Sequence, residues 1–122
     1  MLSIKQVNNI DELHPYREEW NRTLQKSSSN TIFLTFDWIT TWCKIYSKEG
    51  KPFILLITDD EELIGIAPLT VVSSRIFGVQ MKKIKFIGWD CLTYKDFIIS
   101  RKREECLNLI FSYLQDKSYL WD

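Results

Sequence analysis

Thiol and imidazole groups are the side chains of this sequence best suited to nucleophilic or metal chemistry. The chain contains three cysteines, Cys43, Cys91 and Cys106, and a single histidine, His14. A thiol nucleophile usually works with a neighbouring base such as histidine, but His14 precedes Pro15 near the chain start, where a helix cap or a surface position fits better. Widely separated cysteines and one histidine also make a poor zinc set. We therefore expect reduced, mostly buried cysteines, with no metal site and no disulfide framework.

A run of basic residues offers a second kind of chemistry. Arg101, Lys102 and Arg103 are consecutive, and cations in front of a helix attract phosphate groups. The same segment contains no glycine, and Glu104 and Glu105 follow directly, where they would repel an anion. Without glycines the backbone cannot approach a phosphate closely. The run is therefore also typical of a solvated helix start.

Tryptophans and lysines leave two further alternatives open. Trp38 and Trp42 lie four residues apart and are neighbours on a helix; with Trp89 they could form a platform for stacking a saccharide, or they could simply belong to the core. A basic strip covers 81–85, with Arg75 nearby. Because it lacks interleaved aromatic residues, it indicates a solvated strand face rather than a nucleic-acid groove.

Composition and charge narrow the class of protein. The 122 residues are 45% apolar, with 16 basic and 16 acidic side chains and zero formal net charge. This is enough for one domain with a core, and no global field favours nucleic acid or an acidic membrane. The N-terminus lacks the apolar region of a secretory signal, and no apolar run approaches the roughly 20 residues of a membrane helix. We expect a cytoplasmic protein without a membrane span.

Hydrophobic periodicity predicts the elements that position these residues. A first strand at 3–7 precedes a helix that Asp11 caps and that carries Trp20 on its apolar face. The following elements are a helix capped by Thr35, a strand at 53–57 buried on both faces, a strand at 63–72, a hairpin turn at 76–79, strands at 81–87 and 96–99, a helix capped by Ser100, and a strand that begins at 119. Pro68 predicts an edge or a bulge in its strand. Strands with helices packed on them indicate an α+β fold, with a mixed, mostly antiparallel sheet.

Several short motifs in order resemble a known family. They are Trp20 with Leu24, Phe33–Trp38 followed by Trp42, Leu63–Leu69, Lys85–Gly88, Tyr94–Phe97, and Trp121–Asp122. These motifs resemble bacterial acetyltransferases of the CelD-like group of cellulose biosynthesis, within the GNAT superfamily. Phe36 departs from the pattern, because the family often has proline there, and this changes only the first helical position. The resemblance covers about 20–122.

The resemblance implies a fold and an activity. Residues 1–122 would be a single GNAT-like domain, the N-terminal lobe of a longer two-lobed acyltransferase. Such an enzyme would move an acyl group from acyl-CoA to an amine or hydroxyl acceptor, including an acceptor linked to a saccharide. Asp96 and Tyr94 match a family pattern and would be the catalytic residues on the acceptor side. Arg101, Lys102 and Arg103 occupy the position of the CoA loop and would be weak donor contacts. The chain itself would hold no cofactor, and acyl-CoA would be the co-substrate of the complete protein.

An alternative function belongs to a different class. A degenerate, non-catalytic GNAT-like module would bind a partner protein or a saccharide, and the glycine-free loop favours this alternative for the isolated chain. In both cases Leu120 and Trp121 lie on a strand that would leave an open sheet edge. We expect this edge to dock on a second lobe or to self-associate.

Overall fold

A computed structural model of the chain describes residues 2–27, 34–45, 50–87 and 97–116. The elements, in chain order, are strand β1 (Leu2–Val7), a 3-10 helix (Ile10–Tyr16), helix α1 (Arg17–Lys26), helix α2 (Phe36–Ile45), strands β2 (Gly50–Asp59), β3 (Glu62–Ile76), β4 (Val79–Phe86) and β5 (Ile98–Ile99), and helix α3 (Arg103–Asp116). Every strand pair in these ranges is antiparallel. The predicted α+β class with an antiparallel sheet is confirmed.

The sheet has four strand positions, in the order β1-β2-β3-β4, and β5 also pairs with β3. One edge of β3 is taken by β2 between Glu62 and Val72. Both β4, which pairs with 69–76, and β5, which pairs with 65–66, must therefore lie along the other edge. The fourth position of the sheet is thus divided between two strands that follow each other along β3.

Pro68 lies in this central strand, so the prediction of an edge or a bulge at that residue was wrong. Its carbonyl accepts a hydrogen bond from the Ile87 amide at 2.8 Å, which shows that its backbone polar groups face the fourth position. Proline has no N–H to donate toward this fourth position. Pro68 lies between the part of β3 that pairs with β4 and the part that pairs with β5, so the absent donor removes little from the hydrogen-bond ladder. The bulge of β3 lies elsewhere, opposite the step between Ile57 and Thr58.

Strand β2 is buried on both faces, as its unbroken apolar run predicts. Ile54 and Leu56 belong to a cluster with the buried side chains of α1 and α2. Phe53, Leu55 and Ile57 belong to a second cluster with α3. The helices therefore cover both faces of the sheet, with α1 and α2 on one face and α3 on the other.

Helices α1 and α2 are joined by side-chain to backbone hydrogen bonds. The buried Trp20 indole donates to the Leu34 carbonyl at 2.9 Å, and the Asn21 side chain accepts from the Phe36 amide at 3.1 Å. The predicted cap of α2 is confirmed, because the Thr35 hydroxyl accepts from the Trp38 amide at 3.4 Å. The bonds from Phe36 and Trp38 satisfy backbone amides that a helix start leaves without an intrahelical partner.

Two other predicted caps were wrong. The first helical segment begins as a 3-10 helix whose cap is Asn9, and the Asp11 amide donates to the Asn9 side chain. Ser100 does not cap α3, which begins three residues later at Arg103. The Ser100 amide and hydroxyl donate instead to the Ile64 carbonyl, at 2.9 and 3.3 Å. This carbonyl belongs to the bulged part of β3 and needs a hydrogen-bond donor. Ser100 therefore satisfies a backbone group that is distant in the sequence and does not cap the helix that follows it.

None of the helices in the described ranges is long and apolar enough to cross a membrane.

Candidate functional site

Asp59 is the most enclosed carboxylate of the described residues, with 4% of its surface exposed. It lies at the end of β2, directly before a tight turn formed by Asp60 and Glu61. Both turn residues have positive φ angles, 49° and 71°, which is the geometry of the two-residue turns that join twisted strands. The turn brings Glu62 opposite Asp59. Two carboxylates from the two strands therefore lie at one end of the sheet.

Two cations from the segment before α3 reach these carboxylates. Arg101 donates from Nη1 to Asp59 Oδ2 at 2.7 Å and from Nη2 to Glu62 Oε2 at 2.8 Å. Lys102 Nζ lies 2.9 Å from the same Asp59 oxygen. The Asp59 side chain is 5% exposed, whereas those of Arg101 and Lys102 are 42% and 40% exposed. The cations therefore cover the carboxylate from the solvent side.

The ion pairs shift the pKa values of all three groups toward the charged forms. Hydrogen bonds from Lys102 and Arg101 hold the pKa of Asp59 far below its ordinary value. The pKa of Arg101 is raised by Glu62 and Asp59, and the pKa of Lys102 is raised by Asp59. A carboxylate with two charged hydrogen-bond donors is stabilised in its ionised form. The cluster is therefore ionised at neutral pH.

Two of the three residues predicted to contact a donor thus serve as counter-ions. Lys102 has a φ of +54°, and its carbonyl accepts the first helical hydrogen bond from Cys106 at 2.9 Å. Arg103 is the first residue of α3 and is exposed. The sequence showed these cations as a run but not their partners, because Asp59 and Glu62 lie 42 and 39 residues from Arg101 along the chain.

A charged cleft of about 680 Å³ lies beside this cluster, between the first helical segment and the β2–β3 turn. Its walls are His14, Pro15, Arg17, Glu18, Glu19, Arg22, Glu61 and Glu62. Glu62 belongs to both features, since it lines the cleft and also accepts from Arg101. The cleft and the Asp59 cluster are therefore continuous. No pattern in the sequence indicated the cleft, because its two walls are more than 35 residues apart.

The balance of charge in the cleft is negative. Among the lining residues four glutamates face two arginines, a formal charge of −2 when His14 is neutral, and one of these glutamates, Glu62, is paired with Arg101. Arg17 is also held by Asp37 outside the cleft, through two bonds of 3.1 and 2.9 Å. These bonds lower the pKa of Asp37 and raise that of Arg17. The cleft therefore suits a cationic or hydrogen-bonding molecule better than an anion.

The cysteines follow the expectation of buried residues. Cys43 and Cys106 are both buried and reduced. Burial raises the pKa of Cys43 to about 12, and burial is also the first cause of the raised pKa of Cys106. The reactive form of a thiol is the thiolate, so neither group is a nucleophile at neutral pH. Cys91 lies outside the described residues.

Other predicted site residues lie outside the described ranges. These are Tyr94, Asp96, Leu120, Trp121 and Trp89. Two described residues that come before and after Tyr94 and Asp96 in the sequence contact β3. The Ile87 amide donates to the Pro68 carbonyl, and Ile98 pairs with Ile66.

Trp42 is 5% exposed, and Trp38 packs partly buried against the same core cluster. These two tryptophans therefore belong to the core and do not form an open stacking platform.

Comparison of the chain with protein-family models, with curated proteins and with solved structures finds no match. The family resemblance of the sequence motifs consequently remains a hypothesis about the chain.

Proposed function

We propose that this chain forms the acceptor-side lobe of a GNAT-like N- or O-acyltransferase, with acyl-CoA held outside the lobe. The observation that carries the proposal is the engagement of Arg101 and Lys102 by Asp59 and Glu62. These two cations lie where the resemblance would put the phosphates of CoA. Since they neutralise carboxylates of the same lobe, the lobe offers a weak donor site.

The order of elements supports the fold part of the proposal. Two helices separate β1 from β2, an antiparallel meander follows, and α3 comes after the fourth position of the sheet. This is the order that the resemblance implies for the first part of a GNAT lobe. Strands β4 and β5 both pair with β3, as the meander of that order requires.

The charged cleft supports an acceptor that is an amine. An amine is cationic near neutral pH and is attracted by Glu18, Glu19 and Glu61 of the cleft, while an anionic CoA is not. Transfer requires the neutral amine to attack the thioester carbon, so a base must first take one proton from the ammonium group. The C–S bond then breaks, and the departing CoA thiolate takes the second proton that the nitrogen releases. Asp96, with Tyr94 two residues before it in the sequence, remains the proposed base, because the family pattern places a carboxylate there.

Thermal unfolding with a panel of small molecules tests the acceptor site. We expect the diamine putrescine to raise the midpoint of unfolding and neutral glucose to leave it unchanged. The double variant Glu18→Gln/Glu19→Gln, which alters the cleft wall, should lose the response. Glu104→Gln/Glu105→Gln is the matched control, because these glutamates also occupy the first turn of a helix. An equal putrescine response in both double variants would refute the cleft as the acceptor site.

The second candidate function is a non-catalytic module that binds a partner or a saccharide. The same ion pairs favour it, since they leave the helix start without free cations at Arg101 and Lys102. Radiolabelled acetyl transfer to putrescine by the product of the complete reading frame separates the two functions. Transfer that Asp96→Asn abolishes supports the enzyme. Binding of putrescine without any transfer supports the module.

A further inference from the structure

The β3–β4 hairpin projects beyond the rest of the described sheet. Strand β2 pairs with β3 no further than Val72. From Ser73 to Ile76 the partner of β3 in the described residues is β4 alone. Four residues at about 3.4 Å each extend this two-stranded part by roughly 14 Å. The hairpin tip is therefore separated from both apolar clusters.

The tip carries apolar side chains where polar ones are usual. Phe77 and Gly78 form a two-residue turn with φ angles of +53° and +79°, and Ile76 pairs with Val79 on either side. Asn, Asp or Gly normally occupies the first position of such a turn, and a bulky residue there is an outlier. Phe77 is fully exposed, and Val79 is 61% exposed. The strained position thus presents an aromatic ring to solvent.

Positive charge is concentrated on strands β3 and β4, without acidic side chains between 63 and 87. Residues 63–87 contain four basic side chains and no aspartate or glutamate. The remaining residues hold 12 basic side chains, from 16 less 4, against all 16 acidic ones. Lys82 and Lys83 are exposed on β4, three and four residues after Val79. At about 3.4 Å per residue they lie roughly 10–14 Å behind it.

We propose that this hairpin docks on an anionic lipid surface, with Phe77 and Val79 entering the boundary between headgroups and acyl chains. Interfacial segments bury apolar side chains about 5–10 Å into this boundary. The spacing between Val79 and the lysines therefore places Lys82 and Lys83 at the level of the lipid phosphates. Each basic residue near an anionic surface adds to the attraction. The positive hairpin and the negative lipid are complementary in charge.

A nucleic acid fits the same surface less well. Proteins that bind single strands combine a basic groove with several aromatic side chains on which successive bases stack. The hairpin exposes the Phe77 ring at its end, while Phe86, the other aromatic residue of its strands, packs against Phe97. The docking surface is also independent of the proposed acceptor cleft, since the two lie at opposite ends of the 15-residue strand β3.

Vesicle co-sedimentation tests the proposal with the purified chain. We expect binding to phosphatidylcholine vesicles that contain phosphatidylserine, and little binding to phosphatidylcholine alone. Phe77→Ala should lower the partition coefficient about tenfold, from the apolar surface that it removes. Lys82→Gln/Lys83→Gln should lower it by about tenfold or more, and high salt should remove most of the charge-dependent part.

Matched controls distinguish this surface from general stickiness. Phe111→Ala alters an exposed aromatic on α3, and Lys26→Gln/Lys51→Gln removes two exposed lysines elsewhere. Both controls should bind like the original chain. The proposal is overturned if the original chain does not bind anionic vesicles, or if the controls lose as much binding as the hairpin variants. Tighter binding to polyuridylate than to vesicles, again lost in Phe77→Ala, would overturn it in favour of a nucleic-acid surface.

Discussion

The two ends of β3 differ in almost every physical property, although they belong to one continuous strand. Around Ile66 the strand is paired on both edges and buried on both faces. Beyond Val72 it pairs with β4 alone in the described chain and leads to an exposed tip. Carboxylates at the first end are neutralised by Arg101 and Lys102, whereas residues 63–87 hold cations and no carboxylate.

The two ends of β3 should therefore respond differently to substitution. The first end joins two apolar clusters and an ion-pair cluster, so changes there should alter stability. The second end contributes little buried surface, so changes there should alter binding and leave the fold intact.

Replacing Ile66 by alanine should cause the largest loss of stability. The side chain is fully buried in the cluster with α1 and α2. Removing it leaves a cavity and should lower the free energy of unfolding, measured with urea, by about 2–5 kcal/mol. Val79→Ala alters the exposed tip of the β3–β4 hairpin and should change the free energy of unfolding by less than about 0.5 kcal/mol. Similar losses in both variants would erase the contrast between the ends of β3.

Asp59→Asn should destabilise the protein in a way that depends on pH. The folded pKa of Asp59 lies below its unfolded value of about 4. Its ionised form therefore stabilises the fold above pH 4, and this contribution is lost as the pH falls toward the folded pKa. At pH 7 the variant should unfold roughly 5 °C lower than the original chain. The difference in unfolding temperature between the variant and the original chain should become smaller below pH 4.

Asp37→Asn is the matched control for this experiment. Its carboxylate also pairs with an arginine, but the side chains of Arg17 and Asp37 are 57% and 66% exposed. Exposed ion pairs contribute little, because water and salt screen them. A difference at pH 7 as large as that of Asp59→Asn would show that enclosure of the carboxylate does not matter.

Gly78→Ala should lower the free energy of unfolding by about 1 kcal/mol, for a reason unrelated to packing. A Cβ at this position would meet nothing within 4 Å, yet the φ angle is +79°. The left-handed region is unfavourable for residues that carry a Cβ. Chemical unfolding measures the loss, and binding to anionic vesicles should persist in the folded variant. An unchanged stability would mean that the turn adopts another conformation.

Phe77→Asn should change the free energy of unfolding by no more than Gly78→Ala does, and with the opposite sign. Asparagine tolerates the left-handed conformation, so the variant should gain up to about 1 kcal/mol. The same variant should lose vesicle binding. A gain in stability together with a loss of binding would show that the aromatic residue is kept for docking. A loss of stability would indicate that Phe77 supports the hairpin.

The regular elements and the buried strand were predictable because their signals are local. The apolar run at 53–57 indicated burial on both faces, and Thr35 indicated the start of α2; both are confirmed. Errors arose where a distant segment decides the outcome. Ser100 resembles a cap in the sequence, but it binds the Ile64 carbonyl of β3.

The candidate site was less predictable for the same reason. The cations at 101–103 were visible as a run, but the partners of Arg101 lie on β2 and β3. The turn at 76–79 was predicted, yet no local pattern shows that Phe77 is fully exposed. Asp96 and Tyr94 remain predictions, since they lie outside the described residues.

The cations before α3, Arg101 and Lys102, neutralise Asp59 and Glu62, and we therefore expect that they do not bind CoA. Calorimetric titration of acetyl-CoA into the purified chain measures this. We expect no binding tighter than about 10 μM, a free energy of about −7 kcal/mol. A dissociation constant at or below that value, weakened by Arg101→Gln, would show that these cations bind the donor.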